Sequence, residues 1–239
     1  MAKEIRVEKY TKDVNEKWDK FIQRESTNGT FLQSRNFLNY HPNGRFVDAS
    51  VVIYRGNSEI LAVVPAAEVF ENGKRVFSSH PGSTFGGIVF NRKFYDLEHV
   101  ELAIEKLEAY CKDCGFQKII LKPSGQIFAD EGNDLLEYFL FQKGYHHNSE
   151  ISFVIDFHHY KEDILSNFAS DRRSGYRHAE KNNLEFRELQ NLDEIEEFYN
   201  LLCENLRKFD TKPVHTLEEL IDFKTSRLKK NCQIFWFIL

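Results

Sequence analysis

Long apolar runs are absent from this chain: none approaches the roughly 18 residues a bilayer-spanning helix needs, so no membrane span is expected. The opening residues, Met-Ala-Lys-Glu-Ile-Arg, alternate charge with apolar side chains and lack the apolar block of a secretory signal, which makes the cytoplasm the expected compartment. Cations are not in excess. Lys and Arg total 32 against 37 Asp and Glu, a net charge of -5, which argues against a general nucleic-acid binder, whose phosphate affinity comes from clustered cations. Cysteine is too scarce, at four in 239 residues, to staple a fold. Cys111 and Cys114 have C-x-x-C spacing, but no second pair completes a zinc site and no thioredoxin-like strand precedes them, so they read as two half-buried thiols. Neither Ser-His-Asp nor P-loop spacing occurs, which leaves hydrolase and NTPase chemistry without a motif. His146-His147 and His158-His159 flank one predicted strand, but adjacent strand residues point to opposite faces, so neither pair chelates and no metal site is expected.

What is present suits a packed core, with 41% hydrophobic and 14% aromatic residues. Residues 4–9 alternate as a short strand. Val14, Trp18, Phe21 and Ile22 recur at helical spacing behind Asp13 as a cap, and Ser34 caps a second short helix carrying Phe37, Leu38 and Tyr40. The period then changes to strands at 49–55 and 59–69, joined by Gly56-Asn57, and Asn72-Gly73 turns the chain into 75–79. With a further strand at 84–90 the sheet grows as an antiparallel meander. The clearest helix is 96–114, with Leu97, Val100, Ala103, Ile104, Leu107 and Tyr110 on one face and Gly115 at its end. A buried strand at 116–121, a helix at 133–142 and a last strand at 151–157 complete a first unit, residues 1–158.

A helical connector, 159–183, follows, interrupted at Ser174-Gly175. Residues 184–239 then repeat strand, helix, helix, strand, the opening order of the chain. The terminal run from Ile234 to Leu239 reads as a strand buried on both faces with no neighbour to cover it. The second unit therefore reads as incomplete, with an apolar strand open to self-association.

Two stretches carry candidate chemistry. From Ser78 to Phe90, the glycines Gly82, Gly86 and Gly87 allow close backbone approach, beside the polar side chains of His80, Ser83 and Thr84. His80 is either a base near neutral pH or the cap of a turn ahead of Pro81. In the connector, Arg172, Arg173, Arg177 and Lys181 surround Tyr176; they read as a site for a diphosphate or for RNA backbone, or as a solvated helix face.

The element order, together with Phe31-Leu32-Gln33-Ser34-Arg35-Asn36-Phe37-Leu38-Asn39-Tyr40-His41, Val64-Pro65-Ala66, Ser79-His80-Pro81-Gly82-Ser83-Thr84-Phe85-Gly86-Gly87 and Tyr176-Arg177-His178-Ala179, resembles the FemAB-like branch of the GNAT acyltransferase superfamily. The resemblance covers nearly the whole chain. It implies an α/β (α+β) fold with a mixed, mostly antiparallel sheet flanked by helices, followed by the start of a second GNAT-like domain. It also implies N-acyl transfer, acetyl or aminoacyl, from acyl-CoA or aminoacyl-tRNA to an amine of a bacterial cell-envelope or polysaccharide precursor.

By the same resemblance the 78–90 segment lines an acceptor groove, His80 takes the amine proton, Arg177 meets an acceptor phosphate, and Ser83, Thr84, Gly86, Gly87 and Tyr176 contact substrate. Arg35 stands in for a family lysine that has no match here. The place of the pyrophosphate loop of acyl-CoA-binding GNAT domains is Asn91-Arg92-Lys93-Phe94-Tyr95-Asp96, which has no glycine, so the first domain is expected to bind no coenzyme A. The donor loop of the second domain would lie beyond Leu239. The chain is accordingly read as the acceptor-binding half of an acyltransferase or, alternatively, as a non-catalytic binding module without a donor site.

Overall fold

The computed structural model describes residues 4–42, 44–130, 133–151, 153–182, 184–229 and 231–238. The chain separates into two compact units, Met1–His147 and Asn148–Leu239.

In the first unit, β1 (Ile5–Lys9) leads through a 3-10 turn into α1 (Asn15–Arg24) and then α2 (Arg35–Leu38). Ser34 caps α2 as its position predicts, its Oγ accepting from the Phe37 N–H at 3.2 Å. Asp13 does not cap α1, because it lies inside the 3-10 turn Lys12–Val14. Six strands follow: β2 (Val47–Asp48), β3 (Val51–Arg55), β4 (Glu59–Val64), β5 (Ala66–Glu71), β6 (Lys74–Ser79) and β7 (Val89–Phe90). The Asn72-Gly73 turn between β5 and β6 places both residues at positive φ, 50° and 76°, as a tight two-residue hairpin requires. Then come α3 (Leu97–Asp113), β8 (Lys118–Ile120) and α4 (Asp134–Gln142).

These strands form two four-stranded sheets, β1-β3-β4-β7 and β2-β5-β6-β8, antiparallel except where β8 runs parallel to β6. The strand expected at 59–69 is split at Pro65, which has no N–H to give to a ladder, and its halves enter different sheets. The strand expected at 84–90 is reduced to Val89–Phe90, because residues 80–88 turn and bend instead of pairing.

Both faces of the first sheet are covered, which is why its strands read as continuous apolar runs. Val51 and Ile53 of β3 pack with Val100, Ile104 and Leu107 of α3 and Leu136 of α4. The intervening Val52 and Tyr54 pack with Trp18, Phe21 and Ile22 of α1. Leu97, expected on the buried face of α3, is exposed; Cys111 takes the place at the other end. Asp96 caps α3 by accepting from the His99 N–H at 3.0 Å, and Gly115 and Gly144 end α3 and α4 at φ of 79° and 80°.

The second unit holds α5 (Ser170–Lys181), β9 (Glu185–Glu188), α6 (Leu192–Arg207), α7 (Leu217–Asp222) and β10 (Phe235–Ile238), which pairs antiparallel with β9. Asn191 caps α6 in a capping box with Glu194, and Thr216 caps α7 with Glu219 in the same way. The helical connector expected at 159–183 with a break at Ser174-Gly175 holds, among the described residues, a 3-10 turn, Ile164–Asn167, and an unbroken α5. No strand forms at 151–157 among the described residues; Ile151, Phe153, Val154, Ile155 and Phe157 are exposed, on no ladder that would bury one face. In β10 burial alternates: Trp236 is buried, while Phe235 is 43% exposed and stacks on Phe186 of β9, so the strand is not covered on both faces.

Candidate functional site

The glycine-marked stretch lies between β6 and β7 and is tied down on both sides. Ser79 ends β6, and its Oγ accepts from the Gly87 N–H at 2.6 Å and from the Lys122 N–H at 2.9 Å. Gly86 N–H donates to the Lys122 carbonyl at 2.8 Å, and the Gly86 carbonyl accepts from Gln33 Nε2 at 2.8 Å. Gln33, fully buried, takes the Thr30 N–H with its other amide atom at 2.6 Å. Ser83 Oγ donates to the Leu32 carbonyl at 3.1 Å. This lattice of bonds to 30–33 and 122 leaves only Pro81 and Thr84 of the stretch exposed.

The three glycines are required by the chain's own packing. A Cβ on Gly86 would lie 2.8 Å from Ser79 Cβ, one on Gly82 2.0 Å from His41 Nε2, and one on Gly87, which sits at φ +70°, 2.8 Å from Pro123 Cα. The close approach that the glycines allow is therefore made by other parts of the protein. Gly86 and Gly87, read from the sequence as substrate contacts, are buried.

A second polar cluster locks the same region from below. Asn28, 1% exposed, donates through Nδ2 to the Ile88 carbonyl at 3.0 Å and to Asn133 Oδ1 at 2.9 Å, and accepts the Phe90 N–H at 2.9 Å. Ser124 Oγ donates to the Asn28 carbonyl, and Asn133 Nδ2 to the Ser124 carbonyl, at 2.6 and 2.7 Å. The cluster joins β7 to the start of α4 with its polar atoms satisfied inside the protein.

His80 is 4% exposed. Its ring lies parallel to that of His41, 5.6 Å between centroids and 8° between planes, and Phe46 meets both edge-on at 4.8 and 5.2 Å. Gly82 N–H donates to His80 Nδ1 at 3.3 Å, and His41 Nε2 donates to the Gly82 carbonyl at 3.0 Å. Burial, with the field of His41 in support, pushes the His80 pKa down to about 4, against a smaller opposing pull from Asp48. At pH 7 such an imidazole is protonated in roughly one molecule in a thousand, far from the matched pKa an efficient base needs. His80 is thus a buried, weakly basic side chain within its turn.

Arg35 is also inside. Only 3% exposed, it ion-pairs through Nη2 with Asp48, donates to Asn39 Oδ1 at 2.9 Å and Ser50 Oγ at 3.1 Å, and lies 3.7 Å from the Tyr10 ring centre. Its charge is engaged within the α2–β2 junction. At the place of the pyrophosphate loop, Asn91 caps the 3-10 helix Arg92–Phe94, and Asp96 occupies the N-terminus of α3, also meeting His99 Nδ1 at 2.9 Å. An anion's usual seat is filled by the chain's own carboxylate.

Tyr176 and Arg177 stand on α5 in the second unit, exposed and away from any core, for α5 buries no residue. Tyr176 is hydrogen-bonded to Glu180, which raises its pKa; Arg173 donates to the Phe168 carbonyl at 2.7 Å, and Arg172 lies 3.7 Å from Asp171. Burial, with Cys114 nearby, pushes the Cys111 thiol up to about 12, which makes it inert, and all four cysteines are free. Among the described residues no group of three or more His, Cys, Asp and Glu side chains is placed to hold a metal ion, and no helix is long and apolar enough to cross a membrane.

These elements make a mixed α/β fold, with mostly antiparallel sheets and flanking helices. Among solved structures the chain is similar to FemX, with a TM-score of 0.59 at 13% identity, over 97% of this chain and 57% of that one. The chain thus spans 57% of the length of FemX, and at this identity the likeness is one of fold alone. Two further structures are more remote: TTHA1254 from Thermus thermophilus (TM-score 0.38, 12% identity, 63% of this chain and 96% of that one) and glucosamine-6-phosphate N-acetyltransferase from Arabidopsis thaliana (0.36, 18%, 64% and 99%). No family model and no curated protein matches the chain.

Proposed function

We propose that this chain is the acceptor-binding part of an N-acyltransferase of the FemAB-like kind, acting on an amine of a nucleotide-linked or cell-envelope precursor in the cytoplasm of a bacterium. The observation that carries the reading is the shared fold with FemX across 97% of the chain, joined to the sequence segments that resemble the family. The candidate side chains of the first unit are Thr84, exposed on the tied-down stretch, and the half-buried Ser83; those of the second unit, taken separately, are the exposed Tyr176 and Arg177 on α5. Catalysis on this reading is positioning: the neutral amine attacks the donor carbonyl, and backbone N–H groups hold the oxyanion.

The donor, acyl-CoA or aminoacyl-tRNA, binds elsewhere than at α3, whose N-terminus Asp96 already caps. That observation favours one second reading, a non-catalytic module that binds acceptor and transfers nothing. Self-association through the exposed Phe186 and Phe235 pair of the β9–β10 ribbon belongs to the same proposal. Titration with acetyl-CoA and with a UDP-linked muropeptide separates the readings. Acceptor binding with thiol release marks a transferase, acceptor binding alone marks the module, and binding of neither refutes both.

A further inference from the structure

The second unit holds a cleft that acyl transfer leaves unused. It has a volume of about 460 Å3 and lies between the C-terminal half of α6 and the segment 208–216 that joins α6 to α7. Tyr199, Cys203 and Arg207 follow one another at intervals of four residues, so they line the cleft as one stripe of α6. Asp210, in the left-handed region at φ 52°, ends the helical path, and Thr211, Lys212 and Pro213 supply the other side.

Most polar groups around the cleft are committed. The carbonyls of Asn205, Leu206 and Arg207 accept from the N–H groups of Lys208, Phe209 and Asp210 at 3.3, 3.0 and 3.1 Å, so the last turn of α6 does not present them as bare acceptors. His215 lies 3.5 Å from Glu219, and Thr216 is bonded to Glu219 in the capping box of α7. The Tyr199 hydroxyl is hydrogen-bonded to Cys203. Three charged side chains of the lining remain. Arg207, Lys212 and Asp210 are exposed and have no hydrogen-bond or ion-pair partner among the described residues.

Two cations and one anion suit a ligand with the reverse set, two anionic groups and one cationic group. The planar fork of Arg207 fits a carboxylate through two parallel hydrogen bonds, and the Lys212 ammonium takes a second carboxylate as a point charge. Asp210 accepts from an ammonium and repels a ligand that is purely anionic. The half-buried Tyr199 and Pro213 offer apolar surface to a short methylene chain.

We propose that this cleft binds a free acidic α-amino acid, its two carboxylates on Arg207 and Lys212 and its ammonium on Asp210. Both carboxylates must be free, which excludes an aminoacyl ester, and the site stands whether or not the chain takes part in acyl transfer.

The test is an NMR titration of the backbone N–H groups of the whole chain with L-glutamate at low salt. The expected result is saturable shifts centred on 199–216, with a Kd that rises with salt and rises at least about fivefold in Arg207→Gln and in Lys212→Gln. Both positions are exposed with no partner to lose, so both variants are expected to keep the fold. Lys208→Gln removes a cation next to Arg207 that bonds Asn205 Oδ1 at 3.3 Å and does not line the cleft; it is expected to stay within about twofold. Glutarate, which lacks the ammonium, and L-glutamine, which lacks the second carboxylate, are each expected to bind at least about threefold more weakly. The absence of saturable shifts, or equal weakening by Lys208→Gln and Arg207→Gln, overturns the site. Glutarate or L-glutamine binding as tightly as L-glutamate overturns the acidic amino acid as its ligand.

Discussion

A buried histidine that cannot carry a proton makes stability depend on acid in a calculable way. His80 has its pKa lowered from 6.5 to about 4, because protonation would place a charge in the enclosure formed by Phe46 and His41. The folded state therefore binds this proton less readily than the unfolded chain does. The stabilising contribution is full above pH 6.5 and is lost as pH falls through 4. A shift of 2.5 units corresponds to about 3 kcal/mol in full and about 2.5 kcal/mol by pH 4.5.

Carboxylates begin to titrate at the lower end of this range, so the measurement is a difference. Urea unfolding of the wild type and of His80→Gln is compared at pH 7.5 and pH 4.5. Gln is neutral throughout and retains an atom able to accept the Gly82 N–H. The wild type is expected to lose about 2 to 3 kcal/mol more than the variant over this interval. Parallel losses, or a His80 ring resonance titrating near 6.5, would refute the reasoning.

Four other substitutions test the packing and surface of the chain. Gly87→Ala combines a positive φ with a Cβ 2.8 Å from Pro123 Cα and should cost about 2 kcal/mol or more by urea denaturation; a change under 0.5 would show that the 122–124 segment yields freely. Thr27 is 2% exposed and its Oγ1 has no hydrogen-bond partner among the described residues, so Thr27→Val, which removes the stranded hydroxyl at constant shape, should be neutral or stabilising by up to about 1 kcal/mol in thermal melts. Arg35→Met leaves Asp48 without its cation; because Asp48 is 36% exposed, the expected loss is about 2 kcal/mol, below the range for a fully buried pair. Arg177→Ala, on an exposed helix face, should change unfolding midpoints by less than about 0.5 kcal/mol.

Much of this architecture was legible in the chain. The spacing of Val100, Ala103, Ile104 and Leu107 announced α3, and Asn72-Gly73 announced the β5–β6 hairpin, because local periodicity and turn chemistry act within a few residues. The break at Pro65 was missed, because the apolar run continues across it, and which sheet each half joins depends on partners far away in sequence. The candidate site was harder for the same reason. Glycines signal close approach without saying to what, and Gly82, Gly86 and Gly87 meet His41, Ser79 and Pro123. The bonds of Asn28 to Ile88 and Asn133, 60 and 105 residues away, leave no local pattern. Arg35 and His80 were picked out by residue type, which carries no information on burial, and the fold places both inside, Arg35 as an internal tie and His80 as a weak base.

The central claim is that this chain binds the acceptor of an acyl transfer and holds no donor at α3. Calorimetric titration of the purified chain with a UDP-linked muropeptide and, separately, with acetyl-CoA tests it most directly, with a thiol reagent present to report any transfer. Saturable binding of the muropeptide, weakened at least about threefold by Arg177→Ala, with no protection of the Asp96 and His99 backbone N–H groups by acetyl-CoA, is the predicted result. Muropeptide binding that is absent, or acetyl-CoA binding that perturbs Asp96 and His99 at the start of α3, would contradict it.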